Sequence, residues 1–318
     1  MSQIHIQERD VPSGAYEAAR ASGFTDLQAR IIAARLPHIR EGEVAATLSP
    51  QLSMLDPPSL LPDIDKAVQR LADAIETGER LLLISDHDVD GGTGLTILKT
   101  ALLDYFGVPA EQLRSYTSHR MREGYGVSDA LVTRILADNP GKALAVTCDQ
   151  GSADAVRIAR LREEGIDTIV TDHHEIPTAG IPAAAVAVVN PIREDSAFPD
   201  KSIAGCYVAF LVMCALRDEL IRRGRLPATT PKLTPLLSYA ACGTVADCVN
   251  LANSRNNRAV VRFGLYLMNT NPLPCWRAVR RALRDEPITA ETIAWFIAPR
   301  INGSGRVDDS MVSVDFLM

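Results

Sequence analysis

Three carboxylates stand at alternate positions, Asp86, Asp88 and Asp90, inside the stretch Leu81–Gly94, LLLISDHDVDGGTG. Two more stretches carry comparable chemistry: CDQGS, with Asp149, and TDHHE, with Asp172, His173 and His174. Three acids within five residues repel one another unless something positive sits among them, and alternation on an extended segment aims all three the same way. They are therefore candidate ligands for a hard cation. Taken alone, DxDxDG also reads as a solvated acidic turn. It is not an EF-hand, because no glutamate follows at the twelfth position of such a loop. Gly91 and Gly92 are expected to let the backbone turn tightly into a helix over Thr93–Leu103.

The elements that must carry these groups follow from the apolar pattern. Leu81–Ile84, Leu144–Thr147, Thr168–Thr171 and Val186–Val189 are short apolar runs of strand length, and each ends in polar or acidic residues. Helical periodicity between them predicts an α/β fold with a parallel, doubly wound sheet. In such sheets ligands bind at the C-terminal ends of the strands. The exits carrying Asp86/Asp88/Asp90, Asp149 and Asp172/His173/His174 should therefore converge on one sheet edge. Carboxylates mixed with imidazole suit two divalent ions, with manganese favoured over zinc by the oxygen-rich set.

Outside this region, Tyr16–His38 carries helical periodicity and Leu48–Pro62 is a proline-punctuated connection. Asp65–Thr77 is an amphipathic helix closed by Gly78. Ile203–Arg222 and Leu233–Val245 are long apolar helices, and Arg255–Leu267 is a basic amphipathic one. Asp247 follows the second of these, in AACGTVADCVNL. It reads either as a cap or turn residue or, given the acidic cluster, as a further metal-directed carboxylate, since an unpaired acid is costly among apolar neighbours. Ile293–Arg306 turns abruptly glycine-rich and basic.

The composition, 47% apolar and 23% charged over 318 residues, is that of a globular protein of one large or two ordinary domains. No apolar run approaches membrane-span length and the first residues lack signal-peptide blocks, so a cytoplasmic, membrane-free protein is expected. The six cysteines form no CxxC pair and read as reduced, buried small hydrophobes. The net charge of −6 decides little, since bound cations would cancel much of it locally.

At Asp172-His173-His174 the pattern becomes recognisable. The chain resembles the DHH phosphoesterase superfamily and, within it, the RecJ-type single-stranded-DNA exonucleases. DHDVDG, CDQGS, TDHHE and GTVADCVNL are similar to that family's four motifs. REGYG at 122–126, Asn190-Pro191, AGCYVAF at 204–210, NNR at 256–258, APRINGSGR at 298–306 and the preamble with Leu55-Asp56-Pro57 match its accessories. The resemblance covers essentially the whole chain.

It implies three parts: a helical N-terminal extension over 1–78, the phosphoesterase domain over 79–250, and a helical linker over 251–318. That linker is the start of a connecting helix leading towards a second, DHHA1-like domain that is absent. It further implies that Asp88 and Asp149, with Asp86, bind a first manganese, and that Asp90, Asp149, His173 and Asp247 bind a second, Asp149 bridging. Asp172 belongs to the same metal-directed cluster, and Mg²⁺ is the alternative ion. His174 would contact the scissile phosphate and help protonate the leaving group, beside Asp149 and Asp90 as catalytic carboxylates. His87 is expected to stand outside the ligand set. Arg120, Tyr125, Asn190, Arg300, Asn302 and Arg306 are the expected contacts to the strand.

The activity so implied is 5′-to-3′ exonucleolytic hydrolysis of single-stranded DNA to mononucleotides in repair and recombination, with a single-strand-binding protein or helicase as possible partners. Two other readings stand beside it: hydrolysis of short oligonucleotides or cyclic dinucleotides, and a catalytically silent scaffold. The family continues into DHHA1 and OB-fold domains that do not appear before Met318, so the chain is expected to be a core fragment or a naturally minimal form.

Overall fold

The computed structural model describes residues 7–119, 123–252, 254–307 and 310–318, the last two residues of the third range as backbone only. By its internal contacts the chain divides into two units.

The first unit comprises the described part of Met1–Leu55 together with Asn250–Ala259. It holds α1 (Ser13–Ala21), α2 (Asp26–Arg35) and α3 (Val44–Leu48) around Ala19, Ala29, Ile32 and Leu36. The helical periodicity over Tyr16–His38 resolves into two helices. Ser22 and Gly23 end the first, Gly23 at a φ of 88°. Thr25 then starts the second with a capping box, its hydroxyl taking the Gln28 N–H while the Gln28 side chain takes the Thr25 N–H.

The second unit, Asp56–Val249 with Val260–Met318, contains the sheet. Its elements begin α4 (Ile64–Thr77), β1 (Leu81–Ser85), α5 (Val89–Thr100), β2 (Leu113–Thr117), α6 (Asp129–Asp138) and β3 (Ala143–Cys148). They continue α7 (Ala155–Glu163), β4 (Ile166–Thr171), β5 (Ala187–Val189), α8 (Gly205–Arg222) and α9 (Leu237–Ala246). The helices α10 (Arg255–Thr270, which begins in the first unit), α11 (Pro274–Ala282), α12 (Ala290–Thr292), α13 (Ala298–Val307) and α14 (Met311–Leu317) complete the chain. No described helix is long and apolar enough to cross a membrane.

All five strands are parallel, in the order β2-β1-β3-β4-β5. β1, β3 and β5 are buried along their whole length, which is why they read as unbroken apolar runs rather than alternating ones. The connection from β1 to β2 leaves in one direction and those from β2 to β3 and β3 to β4 in the other. Right-handed crossovers then place α5 on one face and α6 and α7 on the opposite one. Accordingly Leu82 and Ile84 pack with Leu131, Ile135 and Leu161 of α6 and α7. The other face is left to α4, α5 and α8.

β2, LRSYT, is a strand the apolar pattern does not announce, since only Leu113, Tyr116 and Thr117 are buried at the sheet edge. The helix expected from Thr93 begins at Val89 and takes in Gly91 and Gly92. Those glycines make no turn: Gly91 is packed against the Asp86 backbone, and a Cβ on Gly92 would meet nothing within 4 Å. The glycine-rich stretch after Ala298 likewise stays helical as α13. Of the six cysteines, Cys148, Cys206, Cys242 and Cys275 are buried and Cys214 half-buried, whereas Cys248 is exposed.

Candidate metal centre

Reversal of the winding direction between β1 and β3 opens a crevice at their C-terminal ends. The hydrogen-bond ladder runs one step past the strands and holds three exits in register. Asp86 N–H donates to the Cys148 carbonyl, Asp149 N–H to that of Thr171 at 3.0 Å, and Asp172 N–H to that of Val189 at 3.1 Å. Asp86, Asp149 and Asp172 thus stand side by side at one sheet edge. Asp149 adopts the left-handed conformation, φ 61°, which aspartate tolerates better than most residues.

The expectation that Asp86, Asp88 and Asp90 share an extended segment does not hold. Asp88 is the N-cap of α5, its Oδ1 accepting the Gly91 N–H at 3.0 Å, and Asp90 lies in the first helical turn. Helical geometry turns Asp90 inward, where it is almost wholly buried. There its two oxygens accept the backbone N–H groups of Gly205 (2.7 Å) and Cys206 (3.0 Å) at the start of α8. A carboxylate at a helix N-terminus is favoured by the free N–H groups and by the helix dipole.

Among the described residues the ligand-type atoms gather into three trios, each within 4.8 Å: Asp86/Asp88/Asp149, Asp90/His173/Asp247 and Asp149/His173/His174. Nε2 of His173 lies 3.0 Å from Asp149 Oδ1, 3.6 Å from Asp90 Oδ2 and 3.8 Å from Asp247 Oδ2. Asp247 is the C-cap of α9, and its Oδ2 also lies near this imidazole.

The donors fit divalent ions. Asp86 Oδ1, Asp149 Oδ1 and His173 Nε2 are buried and, beyond the close His87–Asp86 and His173–Asp149 contacts at 3.0 Å, have no hydrogen-bond partner. No described Lys or Arg forms an ion pair with Asp86, Asp88, Asp90, Asp149 or Asp247, whose ion pairs run only to histidines. Burial first, and then the charge of Asp90, push the carboxyls of Asp88 and Asp149 above their ordinary range, Asp149 far above it. Burial and the same neighbour raise Asp247 to about 6. A set of oxygens that repel one another, with one or two imidazoles, is the environment a hard or intermediate divalent cation relieves.

Asp172 is brought to the same edge but belongs to none of the trios. Its Oδ1 accepts the backbone N–H groups of His173 (2.8 Å) and His174 (3.2 Å) and contacts His174 Nδ1 at 2.8 Å, while Oδ2 accepts the Ser152 N–H at 2.8 Å. Burial alone would raise this carboxyl, but the bonds from His174 and Ser152 hold it below its ordinary value. The structure thus has Asp172 orient His174 while standing outside the trios. The bond to Asp172 in turn raises the imidazole of His174, whose side chain is 60% exposed, to about 9.

The expected strand contacts fare unevenly. Tyr125 lines a cleft of about 340 Å³ together with Asp86, Asp149 and His174. Its ring lies 5.1 Å from that of His87, which is buried beside Asp86 and Ser118 Oγ. Asn190 is fully buried, and its amide is consumed by Ser152 Oγ, the His174 carbonyl and the Ile192 N–H. It supports the site and does not face the cleft. Asn302 accepts the Val89 N–H at 3.1 Å, fixing the backbone between Asp88 and Asp90. Arg300 lays its guanidinium over the Phe296 ring and donates to the Phe296 carbonyl, away from the cleft. Arg120 and the side chain of Arg306 lie outside the described residues.

Sequence reasoning missed Ser152, which ties Asp172 to Asn190, and Asp154, whose Oδ2 accepts the Val127 N–H and so anchors the Tyr125 loop. It also missed Gln150, a cleft residue whose buried amide has no hydrogen-bond partner. The only signal for all three was their place just after Asp149 in CDQGSAD.

Known proteins resemble this chain in sequence and fold. The chain is 32% identical over 326 residues to the single-stranded-DNA-specific exonuclease RecJ of Escherichia coli (strain K12), spanning 99% of this chain and 53% of that one. It is 35% identical over 267 residues to RecJ of Dickeya dadantii (strain 3937), spanning 81% and 44%. It thus covers about half the length of these relatives. A crystal structure of exonuclease RecJ bound to manganese superposes with a TM-score of 0.67 at 30% identity, covering 80% of this chain and 60% of that one. RecJ of Thermus thermophilus in complex with Mn²⁺ gives 0.73 at 25% identity, covering 96% and 41%. Residues 80–244, which hold the whole sheet, α8 and nearly all of α9, match the family described as DHH family, N-terminal domain. The match spans just over half of the sequence, and the chain belongs to that family.

Proposed function

We propose that this chain is the metal-dependent catalytic part of a phosphodiesterase that hydrolyses single-stranded DNA from the 5′ end to mononucleotides. One observation carries the reading: two ligand trios, joined through Asp149 and His173, stand at the switch point of the sheet without a Lys or Arg partner among the described residues. Exonuclease relatives with the same fold, crystallised with Mn²⁺ or Mg²⁺, support it.

In this reading Asp86, Asp88 and Asp149 hold one ion, and Asp90, His173 and Asp247, with Asp149, the other. When bound, such a pair supplies Lewis-acid activation of water and neutralises charge on the phosphoryl oxygens. Mn²⁺ is the proposed ion, with Mg²⁺ as the alternative. The chain's own residues do the rest. The cleft between Tyr125 and His174 admits the scissile end of the strand. Asp172 accepts the Nδ1 proton of His174 and fixes the ring, leaving Nε2 to hold a proton for the departing oxygen. Tyr125 offers its ring to a base. Proteins that coat or unwind single strands are the partners this activity implies.

The test is digestion of 5′-labelled and 3′-labelled single-stranded DNA in Mn²⁺, with Asp149→Ala as control and calorimetric titration of Mn²⁺ alongside. Immediate release of labelled mononucleotide from the 5′-labelled strand only, lost in the variant, is expected. Cleavage of dinucleotides but not of long strands would replace this reading with hydrolysis of short oligonucleotides. Failure to bind Mn²⁺ would remove both.

A further inference from the structure

A second groove, of about 590 Å³, opens beside the metal centre and has no part in the mechanism above. Its walls are Val245, Ala246 and Cys248, which bracket Asp247, and Trp295, Pro299 and Asn302. Asn302 is also the residue that grips Val89 between Asp88 and Asp90. The groove therefore adjoins the trio of Asp90, His173 and Asp247, as the Tyr125 cleft adjoins that of Asp86, Asp88 and Asp149.

Trp295 is 79% exposed, more than any other large hydrophobic residue described, although burying an indole ordinarily stabilises a fold strongly. It occupies the middle of a π-helical turn, Ile293–Ile297. Pro299, which has no N–H to offer the Trp295 carbonyl four residues earlier, lies just past the end of this turn. Such turns are costly to keep and recur at functional sites.

We infer that Trp295 is a stacking platform for an unpaired nucleobase of a strand whose phosphodiester lies over the Asp90/His173/Asp247 trio. The inference rests on the phosphodiesterase reading and deepens it. Every base has a π-face, so an indole platform holds single strands without reading sequence. A duplex, whose bases are already stacked, is poorly served by it. With Tyr125 at the cleft and Trp295 at the groove, a strand crossing the two trios meets an aromatic ring on either side of the scissile bond.

The chain has two tryptophans, and the other, Trp276, is fully buried, so quenching by a base reports on Trp295 alone. Titration of the full chain with octathymidylate in chelator is expected to quench the long-wavelength emission saturably. Trp295→Phe, which keeps a ring but leaves only Trp276 emission, should show no quenching and retain most of the affinity. Trp295→Ala is expected to raise KM for the octamer about 10-fold, with less of the loss in kcat, as removal of one base–aromatic stack does. An octamer with abasic residues should bind the unmutated protein as weakly as the intact octamer binds Trp295→Ala. Absence of quenching, or equal weakening of intact and abasic octamers, would overturn the inference and leave the groove to a protein segment. Quenching without Mn²⁺-dependent cleavage would leave it standing while removing the phosphodiesterase reading.

Discussion

The backbone N–H of Gly205 donates to Asp90 Oδ2 at 2.7 Å, and the same glycine abuts Asp149 so closely that a Cβ there would lie 2.7 Å from Asp149 Oδ1 and 2.9 Å from its Cα. One residue at the start of α8 therefore anchors a carboxylate of one trio and sets the packing distance to a member of another. Gly243 also packs closely against this site from α9, where a Cβ would lie 2.7 Å from Asp90 Oδ1.

Gly205→Ala is accordingly expected to destabilise the protein by about 1–3 kcal/mol, the usual cost of overpacking a rigid site. Because the opposing atoms include backbone, Asp149 must move, and Mn²⁺ affinity should fall with stability. Urea unfolding and calorimetric Mn²⁺ titration check both. A variant of unchanged stability and affinity would show that α8 can slide away from β3.

Asp172→Asn tests orientation against ligation. The amide keeps the shape but turns one acceptor into a donor facing N–H groups. A fall of about 10–100-fold in kcat is expected, typical of losing a partner that orients a site residue. Mn²⁺ affinity should change far less. A loss of affinity matching the loss of kcat would make Asp172 a ligand instead.

Asn190→Ala removes the amide that joins Ser152, the His174 carbonyl and Ile192. Leaving buried groups unpaired costs about 1–3 kcal/mol, so the melting temperature should drop while KM for a single strand stays near that of the parent. An increase in KM at unchanged stability would restore Asn190 as a strand contact.

Asp63 ties the start of α4 to β5, accepting hydrogen bonds from Lys66, Arg193 and the Val188 N–H. Burial opposes its charge, but these partners prevail and hold its carboxyl below the ordinary 3.8. A folded pKa below the unfolded one adds stability that is present above about pH 4 and lost as pH falls through the folded value. The stability gap between the parent and Asp63→Asn should therefore be open at pH 7 and shrink as pH falls below about 4. A gap that persists in acid would mean that packing, not charge, holds this corner.

The sequence announced four of the five strands, because β1, β3, β4 and the edge strand β5 are almost wholly buried and end abruptly at polar or acidic exits. β2 stayed hidden because an edge strand with Arg114 and Ser115 in it has no such signature. Gathering of the acids was legible from those exits; the manner of it was not. Asp90 faces inward only because α5 begins four residues earlier than the pattern suggests, and its partners Gly205 and Cys206 lie more than a hundred positions away. Asn190 was read as a strand contact since an amide in a motif looks the same whether it faces solvent or is used up by neighbouring groups. Only the fold distinguishes the two.

The trios draw their members from four separate segments between Asp86 and Asp247, on three strand exits and one helix end. No local stretch can rehearse this cluster in the unfolded chain, and each acid that arrives meets the repulsion of those already present. Contacts so distant in sequence form slowly. The cluster should thus be among the last features to mature, and a refolding time course read by Mn²⁺ uptake should lag behind one read by burial of Trp276.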